Sequence, residues 1–115
     1  MGYAYFKLGT TYNRVERYQD AVANFQKATR YVHNQPMVYN NLAISYGKLG
    51  KTDEEIAALK KAVAMRPKYS IARFNLGMAL LKKNDRTGAR IQYDALKNLD
   101  EGLAAALKKE IDSKR

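Results

Sequence analysis

The octet Tyr5-Phe6-Lys7-Leu8-Gly9-Thr10-Thr11-Tyr12 decides the fold, because its skeleton returns 34 residues later as Tyr39-Asn40-Asn41-Leu42-Ala43-Ile44-Ser45-Tyr46 and again as Arg73-Phe74-Asn75-Leu76-Gly77-Met78-Ala79-Leu80. Leu8, Leu42 and Leu76 share one register, and Gly9, Ala43 and Gly77 share the next. A period of this length means that one supersecondary unit is stacked on copies of itself, each burying an apolar face that it could not bury alone.

Inside the first unit, Tyr5, Leu8, Gly9 and Tyr12 recur at helical spacing as a face expected to be buried, a break follows at Asn13-Arg14-Val15-Glu16, and Ala21, Phe25 and Ala28 restart the period. The spacing predicts two antiparallel helices, with the small residues Gly9, Ala21 and Ala28 letting the backbones approach while Tyr12 and Phe25 fill the space between them. In the second unit Gly50 ends the first helix and Thr52-Asp53-Glu54-Glu55 reads as a capping box opening the next. Arg66-Pro67 closes that helix, since the residue before proline is driven out of the helical region. Asn84-Asp85 makes the corresponding turn in the third unit. Asp100 is the expected N-cap of a last helix through about Asp112, striped by Leu103, Leu107 and Ile111.

These residues resemble the tetratricopeptide repeat, whose pattern is aromatic-x-x-Leu-Gly-x-x-Tyr, then Ala-x-x-x-Phe, Ala and Pro. The resemblance covers residues 2–35, 36–69 and 70–103, with a capping helix over 101–115, so that a single domain accounts for residues 1–115. It implies an all-α, right-handed superhelical solenoid of antiparallel helix pairs, about seven helices in all. Departures are His33 at the first unit's proline position, Glu55 where a small residue should face the partner helix, and Arg73, Leu96 and Glu101 in the third unit. The first helix begins at Gly2 with no capping residue, and its aromatic surface implies either repeats upstream or a second copy meeting this end.

Chemistry is sparse. The chain has one histidine and no cysteine, which leaves His33 without companions for a transition-metal site, and no serine lies in a hydrolase motif. The glycines occur singly and form no phosphate loop. No enzyme activity and no cofactor are expected. No apolar run is long enough to span a membrane and no signal-peptide pattern opens the chain, so a soluble, cytoplasmic protein is the default expectation.

Function is therefore expected on a surface. By family resemblance the first helix of each unit lines a concave groove that holds an extended or helical segment of a partner protein. Counted in the repeat register, the groove candidates are Phe6, Thr10, Asn13 and Arg14, then Asn40, Asn41, Ile44 and Lys48, then Phe74, Asn75, Met78 and Lys82. Phe6, Phe74 and Met78 suit apolar pockets, the asparagines suit a peptide backbone, and Arg14, Lys48 and Lys82 form a basic ladder. Asn41, Asn75, Lys48 and Lys82 are also common residues of the repeat itself, so a purely architectural reading stands beside the binding one. The carboxylate-gripping residues of chaperone-binding members correspond to Phe6, Thr10, Asn41, Ile71 and Asn75, and only Asn41 matches, which speaks against that ligand.

The net charge of +10 would attract an acidic partner, nucleic acid or another polyanion. It is spread along the chain, as +3, +3 and +2 over the three units and +2 over the tail. An acidic protein segment is therefore favoured over nucleic acid, with self-association as a further alternative.

Overall fold

The structure is a computed structural model and describes residues 1–113. Seven helices follow in order: α1 (Gly2–Arg14), α2 (Tyr18–Tyr31), α3 (Pro36–Lys48), α4 (Thr52–Met65), α5 (Ser70–Lys82), α6 (Arg86–Leu96) and α7 (Glu101–Ser113). Each first helix packs on its own second helix, α1 on α2, α3 on α4 and α5 on α6, and each second helix packs on the next first helix. The result is a right-handed superhelical solenoid of antiparallel pairs, 41 × 25 × 20 Å, closed by α7 against α5 and α6. Among the described residues no helix is long and apolar enough to cross a membrane.

The turn inside each pair is the same device used three times. Glu16, Gly50 and Asn84 stand at one register position, and all have positive φ, at 63°, 76° and 61°. The left-handed residue turns the chain so that the next N–H reaches back to an orphan helical carbonyl: Arg17 to Tyr12, Lys51 to Tyr46 and Asp85 to Leu80, each at 2.9 Å. Glycine adopts this conformation freely and asparagine tolerates it, whereas Glu16 is held there against its preference.

The helix starts differ from one another. Asp100 Oδ1 accepts from the Leu103 N–H at 3.0 Å, so the expected cap forms, and Asp85, expected only in the turn, also caps its helix by accepting from the Gly88 N–H at 2.8 Å. The capping box expected at Thr52–Glu55 does not. Gly50 carries the chain into α4 one residue earlier, Lys51 takes the N-cap position without a side-chain bond, and Glu55 turns to Lys82 instead.

The core follows size complementarity across the pairs. Phe25 is fully buried against Gly9, where a Cβ would stand 2.7 Å from the ring. Leu59 faces the larger Ala43 position, and both are buried. At Gly77 the space belongs to Leu107 of α7, whose Cδ2 would lie 2.6 Å from an added Cβ. The α7 stripe is Ala104, Leu107 and Ile111, with Leu103 only half-buried, a shift of one residue at its start from the expected stripe. Arg86 at the start of α6 donates from Nη2 to the Ile111 carbonyl at 2.9 Å and ties down the end of α7.

Candidate functional site

The first helices α1, α3 and α5 line one side of the solenoid and carry two depressions. One, of about 420 Å³, lies at their N-terminal end between Tyr3, Phe6, Val32, Gln35, Met37 and Val38, and is almost wholly apolar. Phe6 forms its floor by leaning on Phe25, with ring centroids 6.0 Å apart and planes tilted by 55°. The other, of about 390 Å³, lies toward the C-terminal ends of α3 and α5, where Ile44, Lys48, Asn75, Met78 and Lys82 meet Glu55 and Glu110. Met37 and Lys48 are separated along α3 by about 16 Å at 1.5 Å per residue, so the two depressions are distinct places on the same side of the solenoid.

The twelve candidates divide on inspection. Phe6 lines the first depression, and Ile44, Lys48, Asn75, Met78 and Lys82 come together in the second. Asn41 is half-buried with no recorded side-chain partner, Arg14 is exposed outside both depressions, and Phe74 packs partly against the core. The remaining polar groups are used internally. Thr10 Oγ1 donates to the Phe6 carbonyl of its own helix at 2.9 Å. Asn13 joins α1 to α3, accepting from Ser45 Oγ at 2.6 Å and donating to the Asn41 carbonyl at 3.4 Å. Asn40 is buried between α3 and α5, where its Oδ1 accepts from Asn75 Nδ2 at 3.1 Å. Asn40 Oδ1 and Asn75 Nδ2 are thus taken up by each other, whereas the Asn41 side chain makes no hydrogen bond to the described residues.

The basic ladder is also modified. Lys82 Nζ lies 2.7 Å from Glu55 Oε1, and Lys83 Nζ lies 3.1 Å from Asp53 Oδ1. Lys82 is neutralised locally, while Arg14 and Lys48 have no recorded ion pair among the described residues. Sequence reasoning did not bring Glu55 or Glu110 to the site. The available signal was Glu55 standing where the other two units have Ala21 and Ala89.

A further depression, of about 520 Å³, lies elsewhere, between Tyr39, Tyr46, Lys60 and Lys61 on α3 and α4. Its aromatic groups are already engaged: Lys61 Nζ sits 5.3 Å above the Tyr39 ring, and Gln26 Nε2 donates to the Tyr46 hydroxyl at 2.9 Å. Lys27 stands 5.5 Å above Tyr5 in the same register, so these outer lysines are packing residues as well as charges.

A second surface is the outward face of α1. In α3, Val38, Leu42 and Ser45 are buried beneath α2, and in α5, Ala72, Leu76 and Ala79 are buried beneath α4. Their counterparts in α1, Ala4, Leu8 and Thr11, are exposed, Leu8 by 46% against 6% for Leu42 and 3% for Leu76. Leu8 was expected to be buried with Tyr5, Gly9 and Tyr12. It is not, because this register position faces the preceding second helix, and α1 has none in the described structure.

The geometry agrees with comparisons to known proteins. Residues 2–68 match the family model described as tetratricopeptide repeat, and residues 40–111 match a second model of the same description. A TPR repeat-containing protein of Pseudomonas aeruginosa is 33% identical over 67 residues, which is 58% of this chain and 27% of that protein's length. Among solved structures, the TPR2B domain of yeast Sti1, in its Hsp70 complex, superposes with a TM-score of 0.92 at 19% identity, covering 99% of this chain and 98% of that one. The type III secretion chaperone SycD of Yersinia enterocolitica, bound to a peptide of the translocator YopD, does so with a TM-score of 0.87 at 18% identity, over 96% and 92% of the two chains. With its repeated helix pairs, its shared left-handed turn and these matches, the chain belongs to the tetratricopeptide repeat family.

Proposed function

We propose that the chain is a protein-interaction module whose concave groove holds a peptide or helical segment of a partner protein. The observation that carries this reading is the set of apolar side chains left exposed on the first helices, Tyr3, Met37, Ile44 and Ile71, which the packing of the repeats does not use. The Hsp70 complex of the Sti1 domain and the peptide complex of SycD support it by analogy of fold. The net charge of +10 favours partners of negative net charge at long range, and its even spread makes a protein segment a better fit than nucleic acid.

Exchanging Met37 and Ile44 together for Glu tests the groove without touching the core. A bound segment is expected to lose affinity at least about ten-fold, roughly 1.4 kcal/mol, with helicity unchanged. Binding at full strength would place the contact elsewhere. Equal binding to any polyanion, abolished uniformly by salt, would favour the nucleic-acid reading.

A second reading, self-association, has its own observation in the uncovered register of α1. We propose that Ala4, Leu8, Thr11 and Val15 form a contact for a further helix, of a second copy or of another repeat, that would lie as α2 lies on α3. Sedimentation of the isolated chain over a concentration series is expected to show association that Leu8→Glu abolishes. Leu8 serves better than Tyr5, which stacks on Tyr31 at 5.9 Å within the fold. A monomer at every concentration, with stability and solubility indifferent to Leu8→Glu, would remove this surface from consideration.

A further inference from the structure

Glu55 departs from the repeat pattern in a way that α3 accommodates. In the first and third units the corresponding residues, Ala21 and Ala89, are fully buried between the paired helices. The Glu55 carboxylate instead reaches past α3 to the groove side, where its Oε1 meets Lys82 of α5 at 2.7 Å. Room for it exists because α3 has Gly47 where α1 has Asn13 and α5 has Leu81: a Cβ on Gly47 would stand 2.7 Å from Glu55 Oε2. Two departures from the repeat, one on each helix of the pair, therefore fit each other. An ion pair between units would explain Lys82 and Oε1 alone.

The other oxygen is left over. The Glu55 side chain is only 12% exposed, and Oε2 has no recorded hydrogen-bond partner among the described residues. Yet no sealed side-chain polar atom lacks a partner, so Oε2 keeps an opening, and the opening is the cavity of about 390 Å³ that Glu55 lines. Glu110 of α7 reaches the same cavity, while Ile44 and Met78 supply apolar wall. Lys48 and Lys82 line the cavity too, but both are exposed at its rim and Lys82 is engaged with Oε1, whereas the two carboxylates lie deeper. An acidic guest reaching past the rim would meet Oε2 and Glu110 as like charges in a partly desolvated space, whereas a long cationic side chain could lay its stem on the apolar wall and its head against the carboxylates.

We propose that this cavity receives a lysine or arginine side chain of the partner, and that Glu55 makes the groove select a basic over an acidic residue at that point. The inference rests on the groove reading above and adds to it the chemistry of one anchor. It also separates two scales of charge: the net +10 draws acidic partners from a distance, whereas the cavity sets a local preference of the opposite sign.

The test uses a displayed library of random peptides, panned against the wild-type chain and against Glu55→Gln. Wild-type selection is expected to enrich Lys or Arg at a fixed offset from an apolar residue. Glu55→Gln, which leaves Lys48 and Lys82 without that counter-charge, is expected to lose the enrichment and admit Asp or Glu there. Lysine- and glutamate-bearing versions of one selected peptide should differ about ten-fold in favour of lysine on the wild type, with the order erased or reversed on Glu55→Gln. Gly47→Ala, which crowds the carboxylate without changing charge, should shrink the difference, and it carries the test with Glu110→Gln if Glu55→Gln fails to fold.

A preference that survives Glu55→Gln, or that is absent in peptides still sensitive to Met37→Glu in the other depression, overturns this proposal and leaves the groove standing. A lower melting temperature with unchanged preference would make Glu55 a clamp between units and nothing more. Peptides indifferent to the groove exchanges, or no selected peptides, would overturn the groove reading and this inference with it.

Discussion

A chain ending at Asp100 is expected to be less stable than the full chain by about 3–6 kcal/mol, the worth of two large apolar side chains at about 1.5–3 kcal/mol each, as an upper value. Leu107 and Ile111 are buried to within 1% of completely, and Leu107 occupies the space that Gly77 leaves on α5. Removing α7 uncovers that hollow and also frees Arg86 from the Ile111 carbonyl. The loss is read from urea unfolding of the two chains, with the slope checked for continued two-state behaviour. Near-identical midpoints would show that α7 is an appendage rather than a lid. Because α7 also brings Glu110 to the groove, the truncated chain should handle charged ligands differently even at temperatures where it remains folded.

Phe25→Ala is the single substitution expected to cost most, about 3–5 kcal/mol, in the range observed when a buried aromatic is cut to alanine. The ring is fully buried, and its edge lies where a Cβ on Gly9 would be, so the α1 backbone has no side chain of its own to move into the void. Phe6 rests on the same ring and forms the floor of the apolar depression. The exchange should therefore weaken groove binding as well as lower the thermal midpoint, while Phe25→Leu should retain most of the stability. A loss below about 1 kcal/mol would mean that α1 collapses onto α2, and the size-matching account of this pair would be wrong.

The helices and their turns were legible locally. Each is set by signals within a few residues: the apolar period, Gly50 and Asn84 at the left-handed position, Asp85 and Asp100 at caps, and Pro67 after a helix end. The 34-residue recurrence then made the unit plain without any long-range information, because a repeated register repeats its partners. Phe25 opposite Gly9 was equally readable, since both belong to one unit and the sizes are complementary.

What escaped such reading involves partners that the period alone does not specify. The same register that buries Leu42 and Leu76 leaves Leu8 in solvent, because burial there is conferred by the preceding helix and not by the residue. Asn40 and Asn75 appeared as parallel ligands for a peptide backbone, but adjacent first helices lie close enough for them to bond each other. Thr52–Glu55 had the composition of a capping box, yet the helix starts after Lys51 and Glu55 pairs with Lys82 across the gap at Gly47. The sequence by itself determined the unit, its count and the packing inside each pair, where the interacting residues lie a few helical turns apart along the chain. Tertiary structure alone decided which side chains remain for a partner, because every group facing the groove chooses between a ligand and the neighbouring helix, and the curvature of the stack sets that distance.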